Sequence, residues 1–228
     1  MAIFNMVQGK VPMTYRGTKT IALFHFDDYI DNKTPVATVG NGMVNGTISP
    51  YLGIAHFGIV GKIDGGDNLK YKTSDLSFGT GPFTIEFFFF KNVWDTTSPL
   101  SRVDVSDNEN VNKTYIYLSL TSSWTYHFNV FGGNLKEVKF ENIPSEGWIH
   151  VALVGNGKQN AARAVDLFLN GSKLTTIQSN YDFKSANTLK ISPINISGHR
   201  LLIDELRISN VVRYTTNFTP PTAPFAPD

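Results

Sequence analysis

Cysteine is absent from the 228 residues. A secreted sandwich of this size can carry disulfides, so the absence fits assembly in a reducing cytoplasm, although bacterial surface proteins also often do without them. It removes thiolate ligands for zinc, and the histidines at 25, 56, 127, 150 and 199 have no metal-ligand spacing. The first residues, MAIFNMVQGKVPMTYRG, lack the basic segment and apolar run of a Sec signal. No apolar run approaches the roughly 18–20 residues of a membrane span; the longest candidate is Phe87 to Phe90. Charge of one sign is missing too. Lys and Arg number 20 against 19 Asp and Glu, a net charge of +1, which gives no footprint for nucleic acid or an anionic membrane. Gly-x-Ser-x-Gly elbows and phosphate loops are also absent, since Gly40-x-Gly42 followed by Gly46 has the wrong spacing and no lysine. Six Asn-x-Ser/Thr triplets, the first at Asn32, Asn45 and Asn112, read as chance in a chain rich in Asn and Thr.

What the chain does have is strand signal. Aromatics make up 13%, with 17 Phe and 9 Tyr, and charged residues only 17%, so a large core can be buried. Ala22, Phe24 and Phe26 alternate with Ile21, Leu23 and His25, which reads as an early strand buried on both faces. Phe83, Ile85, Phe87 and Phe89 line one face of a strand. Its other face turns from Thr84 and Glu86 to Phe88 and Phe90, as for a central strand under a covering loop. Trp124, Tyr126, Phe128 and Val130 alternate with polar residues, and Trp148 to Val154 is nearly continuous apolar. Asn170-Gly171 accepts the positive φ angles of a type I′ hairpin turn. Gly-rich turns punctuate the rest. The pattern predicts an all-β, two-sheet antiparallel sandwich, with a closed barrel as the alternative. Residues 20–216 form the expected domain. Residues 1–19 lack alternation and read as an arm that orders on a partner; the proline-rich residues 217–228 should run extended over the surface or out of it. Asn210 to Tyr214 has room for one helical turn.

The segments GGDNLKYKTSDLSFGTGPFTIEFFFF (65–90), GWIHVALV (147–154), DLFLNGSKL (166–174) and IDELRISNVVRYTTNFTPPTAPF (203–225) resemble the laminin-G-like, or concanavalin-A-like lectin/glucanase, domain. The form resembled is the one common in bacteriophage structural proteins, and the closing segment is its most specific part. The resemblance implies a jelly-roll sandwich of about a dozen strands. It does not fix activity, because the fold hosts lectins, glycosidases, protein-binding modules and virion parts.

Catalysis is not expected. Glycosidases need two carboxylates at one site. Glu86 has no second carboxylate near it on its face, and Asp204 and Glu205, being adjacent in a strand, should point to opposite faces. No cofactor is required. Calcium is a candidate, because sandwiches of this family resemble one another in a structural calcium that Asp27, Asp28 and Asp204 would hold; the alternative is that Asp204 accepts hydrogen bonds from a neighbouring turn. Asp64, Asp67 and Asn68 sit where some relatives hold a ligand-bridging calcium, with a Gly-rich turn as the plainer reading. The run DVSDNENVN (104–112) fails as an EF-hand, with Glu109 where glycine is needed and Tyr115 where a glutamate is needed, and reads as a solvated loop. Trp148 matches a family core position. Sugar stacking, common on this fold, would fall to Trp94 or to Trp124 with Tyr126. Tyr51 and Tyr71 have no better support, and His150 reads as a core histidine.

The leading expectation is a bacteriophage virion component assembled in the host cytoplasm. It would be a tail, tail-fibre or baseplate-associated module that docks on other virion proteins, touches host-surface polysaccharide and forms a homo-oligomer. A capsid-decorating or head-fibre protein and a free carbohydrate-binding lectin are the alternatives.

Overall fold

A computed structural model describes residues 19–107, 114–122, 124–159, 161–194 and 199–228. Among them the strands in chain order are β1 (Thr20–Phe24), β2 (Met43–Asn45), β3 (Ser49–Tyr51), β4 (Val60–Asp64), β5 (Leu69–Lys72), β6 (Phe83–Lys91), β7 (Leu100–Ser106) and β8 (Thr114–Ser122). They continue with β9 (Thr125–Val130), β10 (Lys136–Lys139), β11 (Gly147–Gly155), β12 (Arg163–Leu169), β13 (Ser172–Ser179), β14 (Thr188–Pro193) and β15 (Arg200–Ser209). One antiparallel sheet runs β10-β9-β8-β7-β14-β5-β2. The other runs β13-β12-β11-β6-β15-β4-β3, and β1 completes its eight strands by pairing with β15 beyond the stretch used by β4. The two sheets stay separate, so the fold is a sandwich.

Period-two burial builds the interior. Phe83, Ile85, Phe87 and Phe89 of β6 face Val103 and Val105 of β7, Ile116 and Leu118 of β8, and Leu189 and Ile191 of β14 in one apolar cluster. Each such side chain contributes roughly 1.5–3 kcal/mol when taken from water. The β12–β13 hairpin turns on Asn170 (φ 47°) and Gly171 (φ 74°), the positive pair that a type I′ turn requires. Gly171 is needed twice over, because a Cβ there would overlap the carbonyl oxygen of Phe218.

Two expectations are corrected. Asn210 to Tyr214 forms no helical turn. The Arg213 amide instead donates to Thr84 Oγ1, its guanidinium donates to Ser209, and the Tyr214 hydroxyl donates to Glu86, which holds the chain open. Nor do Asp204 and Glu205 point to opposite faces. β15 carries a register shift between Asp204 and Arg207, with Glu205 at φ 54°. The extra residue of this bulge lets both carboxylates emerge on the same outer side.

The outer face of the eight-stranded sheet is covered. Residues 211–228 cross it as a strap. Tyr214 and Phe218 stack at 3.6 Å and, with Val212, pack on Ala152, Val154 and Phe168. Phe225 packs with Leu23 and Phe88, against which Phe57 and Trp148 also lie. The proline-rich end is therefore tied down, finishing where the amides of Lys19 and Thr20 donate to the Asp228 carbonyl. The outer face of the seven-stranded sheet carries no such cover among the described residues.

Candidate functional site

Beneath the strap, the carboxylates are occupied. Glu86 is fully buried and is held by His150 Nε2 at 3.2 Å, Tyr214 Oη at 2.7 Å and Arg207 Nη2 at 2.8 Å. Burial alone would raise its pKa, but the His150, Arg207 and Tyr214 contacts outweigh that and lower it. Glu205 accepts from the Phe225 amide and pairs with His25, both at 2.6 Å, and burial raises its pKa. Neither group reaches solvent.

The open face is organised by register. On β7, Val103 and Val105 point inward, so Arg102, Asp104 and Ser106 point out. Strand pairing then sets Lys70 beside Lys190, Lys190 beside Asp104, Asp104 beside Tyr117, and Tyr117 beside Asn129, one outward row from β5, β14, β7, β8 and β9. At the ordinary strand spacing the row runs roughly 20 Å across the sheet. Flanking rows bring Thr188, Ser106 and Thr114 together on one side, and Ser192, Arg102, Ser119 and His127 on the other. Two depressions, of about 220 and 300 Å³, lie on this face and share Arg102 and Thr114, forming one polar trough.

At its centre Arg102 lies across the Tyr117 ring at 4.7 Å and donates through Nε to Asp104 Oδ2. Asp104 is 4% exposed, and its Oδ1 has no hydrogen-bond partner in the protein. Burial raises its pKa, against the opposing pull of Arg102 and Lys190. A buried carboxylate oxygen without a donor is costly. Asp104 is the single carboxylate among the described residues lining the trough. A carboxylate, a guanidinium, an amide, hydroxyls and an aromatic ring suit recognition of a polyhydroxylated ligand.

The residues expected from sequence land elsewhere. Trp124 and Tyr126 are 5% and 2% exposed and face the interior, Trp124 stacked on Phe89 and the Tyr126 hydroxyl donating to the Leu100 carbonyl. Their alternation with buried Phe128 and Val130 already carried that information. Trp94 is 84% exposed on the β6–β7 loop, where its amide donates to Asn92 Oδ1. Asp27 and Asp204 both act on the Tyr29 phenol, whose pKa burial and these two charges raise. Asp27 accepts from the Ile59 amide and Asp204 from the Phe57 and Glu205 amides, while Asp28 is exposed. Asp64 is exposed and pairs with Lys62, its carbonyl accepts from the Asp67 amide across the β4–β5 turn, and Asn68 Oδ1 is buried without a partner. Among the described residues no three His, Asp or Glu side chains converge to hold a metal ion. The run expected to be a solvated loop from residue 104 begins as strand, since Asp104 to Ser106 belong to β7; residues 108–113, like the arm over 1–18, lie outside the described residues.

Compared by sequence, the chain matches no protein-family profile and no curated protein. Compared by structure, it is similar to domain 4 of AbnA, an extracellular GH43 arabinanase from Geobacillus stearothermophilus, in complex with arabinotriose. The TM-score is 0.54 at 19% identity, over 86% of this chain and 94% of that one. It is also similar to the binding domain of botulinum neurotoxin DC in complex with SialylT (TM-score 0.59, 16% identity, 86% and 48% covered) and in complex with rat synaptotagmin II (0.56, 14%, 86% and 49%). The chain spans about half the length of those neurotoxin domains. At these identities the likeness establishes the fold alone, a concanavalin-A-like β-sandwich.

Proposed function

We propose that this domain is a non-catalytic adhesion module that binds polysaccharide along the open face of its seven-stranded sheet. The observation that carries the reading is the contrast between the two outer faces: one is crossed by the strap, which closes over Glu86 and Glu205, and the other presents a polar trough with an unpaired, buried carboxylate oxygen at Asp104. The arabinotriose held by the arabinanase domain is in keeping with it. A row crossing strands meets a sugar chain at successive points, Asn129 and the Tyr117 ring at one end and Lys70 at the other, which suits a polymer better than a single sugar.

Display on a virion is the setting we propose for this activity, and it rests on the closing sequence segment alone. Mass spectrometry of purified particles tests it, and absence of the chain from the particle would end that part of the reading. A glycan array probed with the purified domain tests the binding itself. Signal on polysaccharides should fall roughly tenfold or more in Tyr117→Ala, the loss expected on truncating an interface aromatic worth about 1–2 kcal/mol. An array without signal, or signal indifferent to Tyr117, contradicts the proposal.

A further inference from the structure

Resting on that reading, we infer that the Phe131 end of the trough is a subsite for an acetamido group, so that the polysaccharide read there contains N-acetylated amino sugars. The inference comes from a change of chemistry along the open face. Arg102 and Thr114 are common to both depressions. Past them on the β14 side the lining is charged or hydroxylic, with Asp104, Ser106, Thr188 and Lys190 among it. Past them on the β9 side it is Tyr117, Asn129, Phe131, Gly132 and Gly133: two rings, bare backbone and a single amide.

These parts are held in place. Strand pairing sets Asn129 beside Tyr117. The Arg102 guanidinium lies 4.7 Å from the Tyr117 ring centre, so one face of that ring is taken and Phe131 supplies the open apolar wall. The Phe131 ring is propped at steep angles by Tyr181 at 4.5 Å and Tyr115 at 6.1 Å. Beside it Gly132 sits at φ 78°, where a Cβ would overlap the Tyr181 ring, and a Cβ on Gly133 would overlap Ile177. The turn that floors the depression is thereby kept free of side chains. A hydroxyl pressed against this wall would give up water and gain no partner, whereas a methyl group gains by leaving water. The Asn129 side chain is half-buried and has no hydrogen-bond partner among the described residues. It offers a carbonyl acceptor and an NH2 donor, and the group that answers both at once is a second amide. A methyl joined to an amide is an acetamido group.

Titration calorimetry of the full chain against matched oligosaccharides tests this. Chitotetraose and cellotetraose share one backbone and differ in carrying an acetamido group or a hydroxyl at carbon 2, and tetramers of N-acetylgalactosamine and galactose make a second pair. At least one acetamido member should bind about tenfold or more tighter than its hydroxyl partner, the combined effect of one buried methyl group and one amide pairing. That preference should survive salt beyond about 0.1 M, where the Debye length is about 10 Å, because no charge on the ligand carries it. It should fall to about threefold or less in Asn129→Leu, which keeps the side-chain shape without the amide, and in Phe131→Leu, each shown to be folded by an unchanged melting transition. Equal binding of acetamido and hydroxyl partners overturns the inference and leaves the polysaccharide reading standing. A preference indifferent to both variants overturns it as well, because the acetamido group would then be read elsewhere. No binding to any tetramer overturns it too, and the glycan array then decides separately whether the underlying reading survives.

Discussion

At Asp104, stability and binding pull in opposite directions. Burial raises its pKa, so the folded protein holds that proton more tightly than the unfolded chain does. The stability linked to this group is present below the ordinary carboxylate pKa and is lost as pH rises through the raised value. Asp104→Asn, which imitates the neutral form, should therefore raise the unfolding midpoint at pH 7 while weakening glycan binding, with the gain in midpoint fading as the medium is acidified below the usual carboxylate range. Paired thermal melts at neutral and acidic pH check this; a lower midpoint for the variant at pH 7 would mean that the charge serves the fold. Arg163 is a useful contrast. It is 1% exposed, donates to the Gly79 and Gly81 carbonyls and lies over Phe183, and burial lowers its pKa to about 10. It is a buried cation enclosed by the fold away from the trough, held through Nη2, with Nε and Nη1 buried and without hydrogen-bond partners. Sequence alone does not separate the two residues, since each is a charge in an alternating strand and only tertiary packing tells one role from the other.

At the scale of the element, the strap decides which face is available. Its proline-rich composition suggested a segment running extended over the surface or out of it, and it takes the surface course: Phe225 is 4% exposed, its ring lies 4.1 Å from the Arg207 guanidinium, and its amide donates to Glu205. Phe225→Ala should cost about 3–5 kcal/mol, the usual toll of emptying a buried phenylalanine site, read as a lowered denaturation midpoint. A change below about 0.5 kcal/mol, as for an exposed residue, would mean that the strap does not dock. Glu86, under the same strap, has a lowered pKa, so its contribution is present above the ordinary carboxylate value and is lost as pH falls through the lowered one. The strap should therefore loosen first in acid, and amides of residues 211–228 should lose hydrogen-exchange protection there before those of β6. The individual strands were legible because period-two burial and the Asn170-Gly171 turn are local signals. The bulge at Glu205 was not, because an inserted residue at positive φ leaves no mark in the hydrophobic pattern.

At the scale of the whole molecule, the sandwich could be read in advance, but the site on its open face could not. Strands β6 and β11 of the covered sheet are buried on both faces while β9 of the open sheet alternates, yet which segment does the covering depends on where the end of the chain lands. The candidate site is also assembled from positions far apart in the chain. Lys70, Asp104, Tyr117, Asn129 and Lys190 become neighbours only through pairing of β5, β14, β7, β8 and β9. Composition pointed instead to tryptophans, one of which, Trp124, fills the core, while Trp94 stands exposed on a loop. The central claim is the location of binding, and amide chemical-shift mapping reads it directly. In a titration of isotope-labelled protein with the oligosaccharide that gives the strongest array signal, the account predicts shifts concentrated on β7, β8 and β14 around Asp104. Shifts confined to the Trp94 loop, or to the strap over the eight-stranded sheet, would contradict it.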